Sequence, residues 1–250
     1  MKIIRSRINP IIKKICSLYK KKGRSQHKLF CAEGVRTIST LLEHKVVLEQ
    51  LYVVEEKVSQ LPFLVKDKDI TLISTDVMKK ISTTTSCAGF VGVFHIPKSP
   101  REKLSAGIVL VGMSDPGNVG TLIRTAAALN KKTVVLVDSV DPWSPKVVQA
   151  SVGTLAAVNI YCYTWQELLL YKNSLDLCAL VVDGGKGIET VGSENNLLVV
   201  GSEAHGLSPE YVAQCDVKIT LPMPGNTESL NAAVAGSVAL YVQYLAGMKL

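Results

Sequence analysis

The chain has 250 residues, of which 47% are hydrophobic and 20% are charged. This is the composition of an ordinary globular protein, and the length allows one large domain or two smaller ones with a proper core. The longest apolar runs, such as residues 108–111, have the length of a strand and not the roughly 18 residues of a membrane span. A soluble protein without a membrane partner is therefore predicted.

The net charge of +7 is concentrated at one end of the chain. Residues 1–30 carry ten lysines and arginines and no acidic residue, which leaves 18 basic against 21 acidic residues in the other 220. A basic end on a mildly acidic body is typical of an element that binds a polyanion. An organelle transit peptide is the minority alternative, because such peptides are rich in Arg and Ser whereas this end is rich in Lys. We therefore expect a cytoplasmic location, with an organellar one as the minority option.

The cysteine pattern indicates thiols and not a metal site. The six cysteines, at positions 16, 31, 87, 162, 178 and 215, never come closer than 15 residues apart. No Cys-x-x-Cys pair is present, so neither a structural zinc site nor a thioredoxin-like motif is expected. Buried, reduced thiols in a cytosolic protein are favoured over disulfides.

The first part of the chain alternates between helical and strand patterns. Residues 8–22 place five apolar side chains near helical spacing among many lysines and predict a basic amphipathic helix; the five are Ile8, Ile11, Ile12, Ile15 and Leu18. Such a helix can pack against a core and contact phosphates at once. The further predictions are helix 35–44, strand 48–55, strand 70–74, helix 76–82 and strand 90–96. This alternation predicts a small α/β domain over residues 1–96.

A polar, proline-punctuated stretch at 97–105 is predicted to be a linker, and a second domain follows at 106–250. Its predicted strands are 107–113, 133–138, 158–163, 177–183, 196–201 and 217–222, and its predicted helices are 119–129, 145–156, 165–171, 209–214 and 228–246. Strands that are apolar throughout indicate a parallel sheet covered by helices on both faces. The fold class is therefore α/β, with a ligand crevice expected at the carboxyl ends of the strands.

Three junctions between a strand and a loop combine Gly, Pro, Asn and a charged residue where that crevice is expected: 115–124, 201–208 and 222–231. In the first, Asn118 is a candidate helix cap and Arg124 lies further along the helix. A capped helix with a surface arginine explains this segment alone equally well. The segment lacks both the Gly-x-Gly-x-x-Gly fingerprint of dinucleotide sites and the Lys-Ser or Lys-Thr of a phosphate-binding loop, so both of those nucleotide folds are excluded.

In the second junction, Gly201 and Gly206 suggest that the backbone approaches a ligand closely or adopts positive φ. Glu203 and His205, each taken alone, are better explained as ordinary loop residues than as a functional carboxylate and a base.

In the third junction, an irregular loop precedes a helix rich in small residues, with Ser229 and Asn231 at its start. A closely packed helix with a Ser or Asn cap is the structural alternative for this segment. That alternative does not explain the three junctions together.

In this order and spacing the three segments resemble the motifs of the SpoU (TrmH-like) family of RNA ribose 2′-O-methyltransferases. The matching residues are Asn118, Gly120 and Arg124; then Gly201, Glu203 and Gly206; then Pro222, Met223, Gly225, Ser229, Leu230 and Asn231. Residues 144–153 resemble the family's middle segment, except that Gln149 stands where a basic residue is expected. The N-terminal residues resemble the L30e-like RNA substrate-binding domain of the family, so the resemblance spans nearly the whole chain.

The resemblance implies a SPOUT-class fold, in which the C-terminal catalytic domain is threaded into a trefoil knot and acts as a homodimer. It also implies S-adenosylmethionine as the cofactor, with no metal. The residues that would bind the cofactor are Gly201, Leu221, Met223 and Leu230. The residues that would form the catalytic cluster are Asn118, Arg124, Glu203, Ser229 and Asn231.

Arg124 is a poor candidate for a base, because a guanidinium stays protonated in proteins. We expect it to orient a substrate phosphate and to stabilise the developing alkoxide, while Asn118, Ser229 and Asn231 hold the geometry.

Three functions remain in play. Methylation of structured RNA at a ribose 2′-hydroxyl leads, with large-subunit (23S-type) ribosomal RNA favoured over transfer RNA because a separate N-terminal domain is present. A non-enzymatic RNA-binding or assembly protein on the same fold is the second, although a retired site need not keep all five catalytic positions. An α/β enzyme acting on a small molecule, with an unrelated basic tail, is the third.

Overall fold

The computed structural model describes residues 3–61, 65–84, 88–98, 103–188, 191–192, 194–225 and 229–248. The helices and strands, in chain order, are α1 (Pro10–Ser17), α2 (Lys21–His27), β1 (Leu29–Glu33), α3 (Val35–Glu43), β2 (Leu48–Val54), β3 (Ile70–Ile73), α4 (Thr75–Ile81), β4 (Phe90–His95), β5 (Gly107–Val111), α5 (Pro116–Ala128), β6 (Thr133–Val137), α6 (Pro145–Ala150), β7 (Asn159–Tyr163), α7 (Trp165–Tyr171), β8 (Asp176–Leu180), β9 (Lys186–Gly187), β10 (Asn196–Val200), α8 (Pro209–Ala213), β11 (Val217–Thr220) and α9 (Ala232–Gly247).

The chain divides into two units according to its internal packing. The first unit is Met1–Lys98 together with Asp141–Ala156, and the second is Ser99–Val140 together with Ala157–Leu250. The division predicted from the sequence assigns residues 141–156 to the second domain, so the packing and the predicted domains differ in this segment. Residues 99–102 of the predicted linker lie outside the described residues.

The first unit contains a four-stranded mixed sheet in the order β1-β4-β2-β3. Strand β4 runs antiparallel to β1 and to β2, whereas β2 and β3 are parallel. Its core is lined by buried side chains of α1, α4 and the sheet, including Ile12, Met78 and Val93. The small α/β unit expected from the alternating pattern is therefore present.

The basic N-terminal segment forms two helices where the sequence predicts one over 8–22. Helix α1 ends at Ser17, and α2 then crosses so closely that a Cβ on Gly23 would lie 2.1 Å from the carbonyl oxygen of Ser17. Three of the five predicted apolar side chains are buried, whereas Ile8 and Ile11 are exposed. The apolar face of α1 is therefore narrower than the spacing predicts, because the helix is too short to carry all five.

The second unit contains a seven-stranded sheet in the order β7-β6-β5-β10-β8-β11-β9, and its strand pairs are parallel. The predicted parallel α/β sheet is confirmed. Strand β10 lies in the middle, where Val199 pairs with Val109 of β5 on one side and with Ala179 of β8 on the other. Helices α5 and α9 pack against each other. The trefoil knot stays a prediction.

The longest described helix, α9, has 16 residues. Within the ranges that the structure describes, no helix combines the length and the hydropathy needed to cross a membrane.

The five described cysteines are unpaired, in line with the prediction of thiols, while Cys87 lies outside the described residues. Burial raises the pKa of the Cys31 and Cys178 thiols to about 12, so both stay protonated at neutral pH. Cys162 is exposed, contrary to the expectation of buried thiols.

The predicted helix 145–156 is shorter in the structure, where α6 ends at Ala150. Val152 adopts a φ of +52°, in the left-handed region that a β-branched side chain rarely occupies. The helix therefore stops, and a 3-10 turn at Thr154–Ala157 follows.

A buried ion pair fixes the segment Asp141–Ala156 within the first unit. The Arg24 guanidinium donates to Asp141 Oδ2 from Nη2 at 2.6 Å and from Nε at 2.9 Å, and its Nη1 donates to the carbonyl of Leu18 at 2.8 Å. The Arg24 side chain is only 4% exposed. A charge buried to this degree is tolerated because its donors are hydrogen-bonded.

We expect Arg24→Met to destabilise the protein by about 3 kcal/mol, because it leaves the Asp141 carboxylate buried without its partner. Urea denaturation of the variant and the wild type measures the change. Arg7→Met is the matched control, since Arg7 lies 3.8 Å from Asp76 in an exposed pair and should cost well under about 1 kcal/mol. Equal losses in the two variants would contradict the assignment.

Candidate active site

The loop after β5 begins α5 with an aspartate cap. Asp115 Oδ1 accepts a hydrogen bond from the backbone N–H of Asn118 at 2.8 Å, and Pro116 occupies the first helical position. The prediction that Asn118 is the cap is therefore wrong. The reason is the register of the turn, because Pro116 needs no N–H partner and suits the first position of a helix. The side chain of Asn118 is left available for another contact.

The loop after β10 is a tight turn built on two glycines. Ser202 N–H donates to the Gly206 carbonyl at 3.2 Å, and Gly206 N–H donates to the Ser202 carbonyl at 2.9 Å. Gly206 has a φ of +64°, and a Cβ on Gly201 would lie 2.2 Å from the Gly206 carbonyl carbon. No side chain can be accommodated at Gly201, which explains why a glycine is needed there.

A side-chain hydrogen bond joins these two loops. Asn118 Nδ2 donates to Glu203 Oε1 at 2.6 Å. The two residues are 85 positions apart in the chain, and they meet because β5 and β10 are neighbouring parallel strands whose carboxyl ends share one edge of the sheet. The structure therefore brings the first and second motif segments together.

The third segment follows β11 and leads into α9. Asn231 is the N-cap of α9, and its Oδ1 accepts from the backbone N–H groups of Ala233 at 2.9 Å and Val234 at 3.2 Å. Ser229 is exposed just before the cap. Residues 226–228 lie outside the described residues. The side chain of Asn231 is thus engaged in fixing the first turn of the helix.

A cavity of about 290 Å³ opens where the second and third segments meet. The four residues predicted to bind a cofactor all line it; they are Gly201, Leu221, Met223 and Leu230. Glu203 and Ser229 line it as well. The predicted cofactor positions and two of the predicted catalytic positions therefore share one cavity.

Sequence reasoning missed several other lining residues, which come from the exit of β8 and from α9. They are Leu180, Val181, Val182, Val200, Ser202, Ala204, His205, Gly206, Ala232 and Ala235. One signal could have identified part of this set, because the apolar run of β8 continues past the end of the strand to Val182, which is 58% exposed. An exposed valine after a buried strand is unusual unless it faces a ligand or a partner.

Arg124 is the one predicted catalytic residue that lies apart from the others. It is exposed on α5, six residues beyond Asn118. Six residues correspond to a rise of about 9 Å and a rotation of about 120° from the starting direction. The geometry of this one chain therefore does not place the guanidinium with the pair formed by Asn118 and Glu203.

The chemistry of the cavity favours a ligand that has apolar parts and carries positive charge. Its walls are mostly aliphatic side chains and backbone, and Glu203 supplies a carboxylate. Among the lining residues that the structure describes there is no lysine or arginine. No group of three or more His, Cys, Asp or Glu side chains among the described residues could hold a metal ion.

Two family models match the chain. The model described as the SpoU rRNA Methylase family matches residues 105–241, and the model described as an MRM3-like substrate binding domain matches residues 9–92. The fold and the site define a methylase with a parallel α/β sheet and a separate N-terminal unit. Because the first match covers more than half of the chain, the chain belongs to the SpoU rRNA methylase family, as its motifs predict.

Relatives share the whole length of the chain. It is 26% identical over 249 residues to the 23S rRNA (guanosine(2553)-2'-O)-methyltransferase RlmP of Bacillus subtilis, covering 96% of this chain and 98% of that protein. It is 31% identical over 183 residues to the 23S rRNA (adenosine(1067)-2'-O)-methyltransferase of Streptomyces laurentii, covering 69% and 68%. The solved AdoMet-bound rRNA methyltransferase from Sinorhizobium meliloti has a TM-score of 0.85 and 26% identity, covering 97% of each chain.

We expect Gly201→Ala to weaken binding of S-adenosylmethionine by more than about tenfold, or 1.4 kcal/mol. The added Cβ meets the backbone of Gly206, so the loop that lines the cavity must move. Isothermal titration calorimetry measures the affinity, and thermal denaturation shows whether the variant is folded. Gly192→Ala is the matched control, because a Cβ there meets nothing within 4 Å. Wild-type affinity in Gly201→Ala would show that this loop does not form the binding site.

Proposed function

We propose that this protein transfers a methyl group from S-adenosylmethionine to a ribose 2′-hydroxyl of ribosomal RNA. The observation that carries the proposal is the meeting of three motif segments around one cavity at the carboxyl edge of a parallel sheet. Membership of the SpoU rRNA methylase family and relatives named as 23S rRNA 2'-O-methyltransferases support the substrate and the position of methylation.

The cavity fits the cofactor in its chemistry. Aliphatic walls from Leu221, Met223 and Leu230 suit the adenine and the methionine chain, and the bare backbone at Gly201 allows close approach. A carboxylate at Glu203, with no lysine or arginine among the described lining residues, suits a positively charged sulfonium. When bound, S-adenosylmethionine supplies an electrophilic methyl group on that sulfur.

The polar residues of the site act mainly by holding geometry. Glu203 orients the amide of Asn118, and Asn231 fixes the first turn of α9, from which Ser229 and Leu230 face the cavity. Methyl transfer gains most of its rate from alignment of the reacting groups, so these contacts serve the reaction directly. Arg124 binds a substrate phosphate and stabilises negative charge developing on the ribose oxygen.

The first unit supplies the RNA-binding surface. Helix α1 buries Ile12 and Ile15 and leaves Lys13 and Lys14 exposed, so one short helix serves both packing and phosphate contact. We assign residues 1–96 to an L30e-like substrate-binding domain and residues 106–250 to the catalytic domain. A separate substrate-binding domain, matched at 9–92, favours large-subunit ribosomal RNA over transfer RNA. A ribosomal substrate places the protein in the cytoplasm.

A second copy of the chain covers the outer face of α9. This face exposes large apolar side chains at helical spacing; they are Val234, Val238, Tyr241, Leu245 and Met248, each 42–53% exposed. A continuous apolar stripe on a helix is the pattern of an interface between chains. Dimerisation also gives the exposed Arg124 on the neighbouring α5 a site to act on across the interface, since it lies apart from the cavity of its own chain.

The activity is tested by transfer of radiolabelled methyl from S-adenosylmethionine to unmodified ribosomal and transfer RNA in parallel. We expect label in ribosomal RNA that makes one phosphodiester resistant to alkali, the signature of a methylated 2′-oxygen. Arg124→Ala should lower the rate at least about 100-fold, because it removes the stabilisation of developing charge. Lys132→Ala, which removes an exposed positive charge just before β6, is the matched control and should keep the wild-type rate.

Label confined to transfer RNA would keep the chemistry and overturn the assigned substrate. Absence of label in both RNAs would favour the alternative of a non-enzymatic RNA-binding protein on the same fold.

The dimer is tested by sedimentation equilibrium. We expect Tyr241→Asp to convert dimer to monomer at micromolar concentration, because a carboxylate would be buried without a partner. Leu170→Asp is the matched control, since Leu170 is 71% exposed on α7, away from the α9 stripe, and should leave the dimer intact. A dimer that survives Tyr241→Asp would place the interface elsewhere.

A further inference from the structure

His205 is an imidazole that the fold places at the cavity. It occupies the turn between Ser202 and Gly206, and its backbone N–H donates to Ser202 Oγ at 3.4 Å. The turn is held at both ends by backbone hydrogen bonds and cannot move towards Gly201 without a clash. The His205 side chain is exposed and belongs to the lining of the cavity, so an incoming RNA can reach it.

The proposed reaction removes a proton from a ribose hydroxyl, and the site offers few groups that could take it. Glu203 already accepts the short hydrogen bond from Asn118, which favours its charged form and occupies one oxygen. Ser202 and Ser229 are neutral hydroxyls with little basicity. Arg124 stays protonated and lies elsewhere on α5. Among the described residues that line the cavity, His205 alone carries an imidazole.

We propose that His205 is the proton acceptor for the ribose 2′-hydroxyl during methyl transfer, an inference that rests on the proposed function. The O–H bond breaks and its proton passes to an imidazole nitrogen of His205. The 2′-oxygen uses the freed electron pair to form the new O–CH₃ bond, and the electron pair of the S–CH₃ bond returns to sulfur, which becomes a neutral thioether. The imidazolium then loses the proton to water.

The charges around His205 support this role. On its own loop Glu203 is the nearest acid in sequence, and a carboxylate there stabilises an imidazolium as it forms. The described lining residues from the exit of β8, from the loop after β11 and from α9 contribute no ionisable side chain. Helix α5, which reaches the loop through Asn118, carries Asp115 at its start and Arg124 further on.

The test compares His205→Gln with the wild type under single-turnover conditions across pH 5 to 9. Imidazoles titrate between about pH 5 and 8, and the neutral form is the one that accepts a proton. The wild-type rate should therefore fall as the pH is lowered, and this acid limb should be absent in the variant. We expect the variant to be slower by about 100-fold at neutral pH. His44→Gln, which removes another exposed histidine, is the matched control.

Two further measurements separate a proton acceptor from a residue that only shapes the loop. The affinity of His205→Gln for S-adenosylhomocysteine should stay within twofold of wild type by calorimetry, and free imidazole should restore part of the rate of His205→Gly. In the protein with ¹³C-labelled histidine, the His205 ring signal should shift when S-adenosylhomocysteine is added, whereas the His44 signal should not. The chain has four histidines, so the signals can be assigned by substitution.

A His205→Gln rate within twofold of wild type, or a loss of rate that comes with a matching loss of ligand affinity and no imidazole rescue, would overturn the proposal. Both results leave the wild-type activity intact and so leave the proposed function standing. A wild-type protein that methylates no RNA would overturn the proposed function itself.

Discussion

The insertion of β10 between β5 and β8 is the constraint on which the candidate site depends. These strands are parallel, so their exit loops leave from the same edge of the sheet. Only this strand order puts the loop that carries Asn118 beside the loop that carries Glu203, although the two residues are 85 positions apart. The cavity is then bounded by the exits of β8 and β10 and by the chain that follows β11.

Backbone geometry contributes as much to this site as side-chain chemistry does. Gly201 and Gly206 allow two stretches of backbone to approach more closely than any other residue type would permit. Asp115 and Asn231 spend their side chains on capping α5 and α9, which fixes the directions of the two helices that border the site. The groups left to act on a substrate are therefore few, and each has a fixed position relative to the cavity.

The same economy separates the two units. In the first, short helices bury a narrow apolar face and leave lysines exposed, so the surface is basic over a small hydrophobic core. The segment Asp141–Ala156 belongs to that unit in its packing, through the buried contact between Arg24 and Asp141, although the sequence runs on from the strands of the second unit. Contacts of this kind join residues more than a hundred positions apart, and no local pattern reveals them.

Much of the second unit could be predicted from the sequence, because a strand buried on both faces of a sheet is apolar throughout and reads clearly, as at β5, β6 and β10. Strand β1 was not predicted, because the five residues Leu29–Glu33 are all buried and include a cysteine, an alanine and a glutamate, which break the expected pattern. The break between α1 and α2 was also missed, since it depends on the close approach of Gly23 to Ser17.

The sequence by itself determined the α/β class, the parallel sheet, the charge of the N-terminal end and the family, because these depend on composition, local periodicity and ordered motifs. Only the tertiary structure decided which loops meet. It placed Leu221, Met223 and Leu230 in one cavity with Gly201, joined Asn118 to Glu203, turned Asn231 into a helix cap and set Arg124 apart. The physical reason is that these relations are set by strand order, helix rotation and backbone approach, which are properties of the folded chain and not of any local stretch of it.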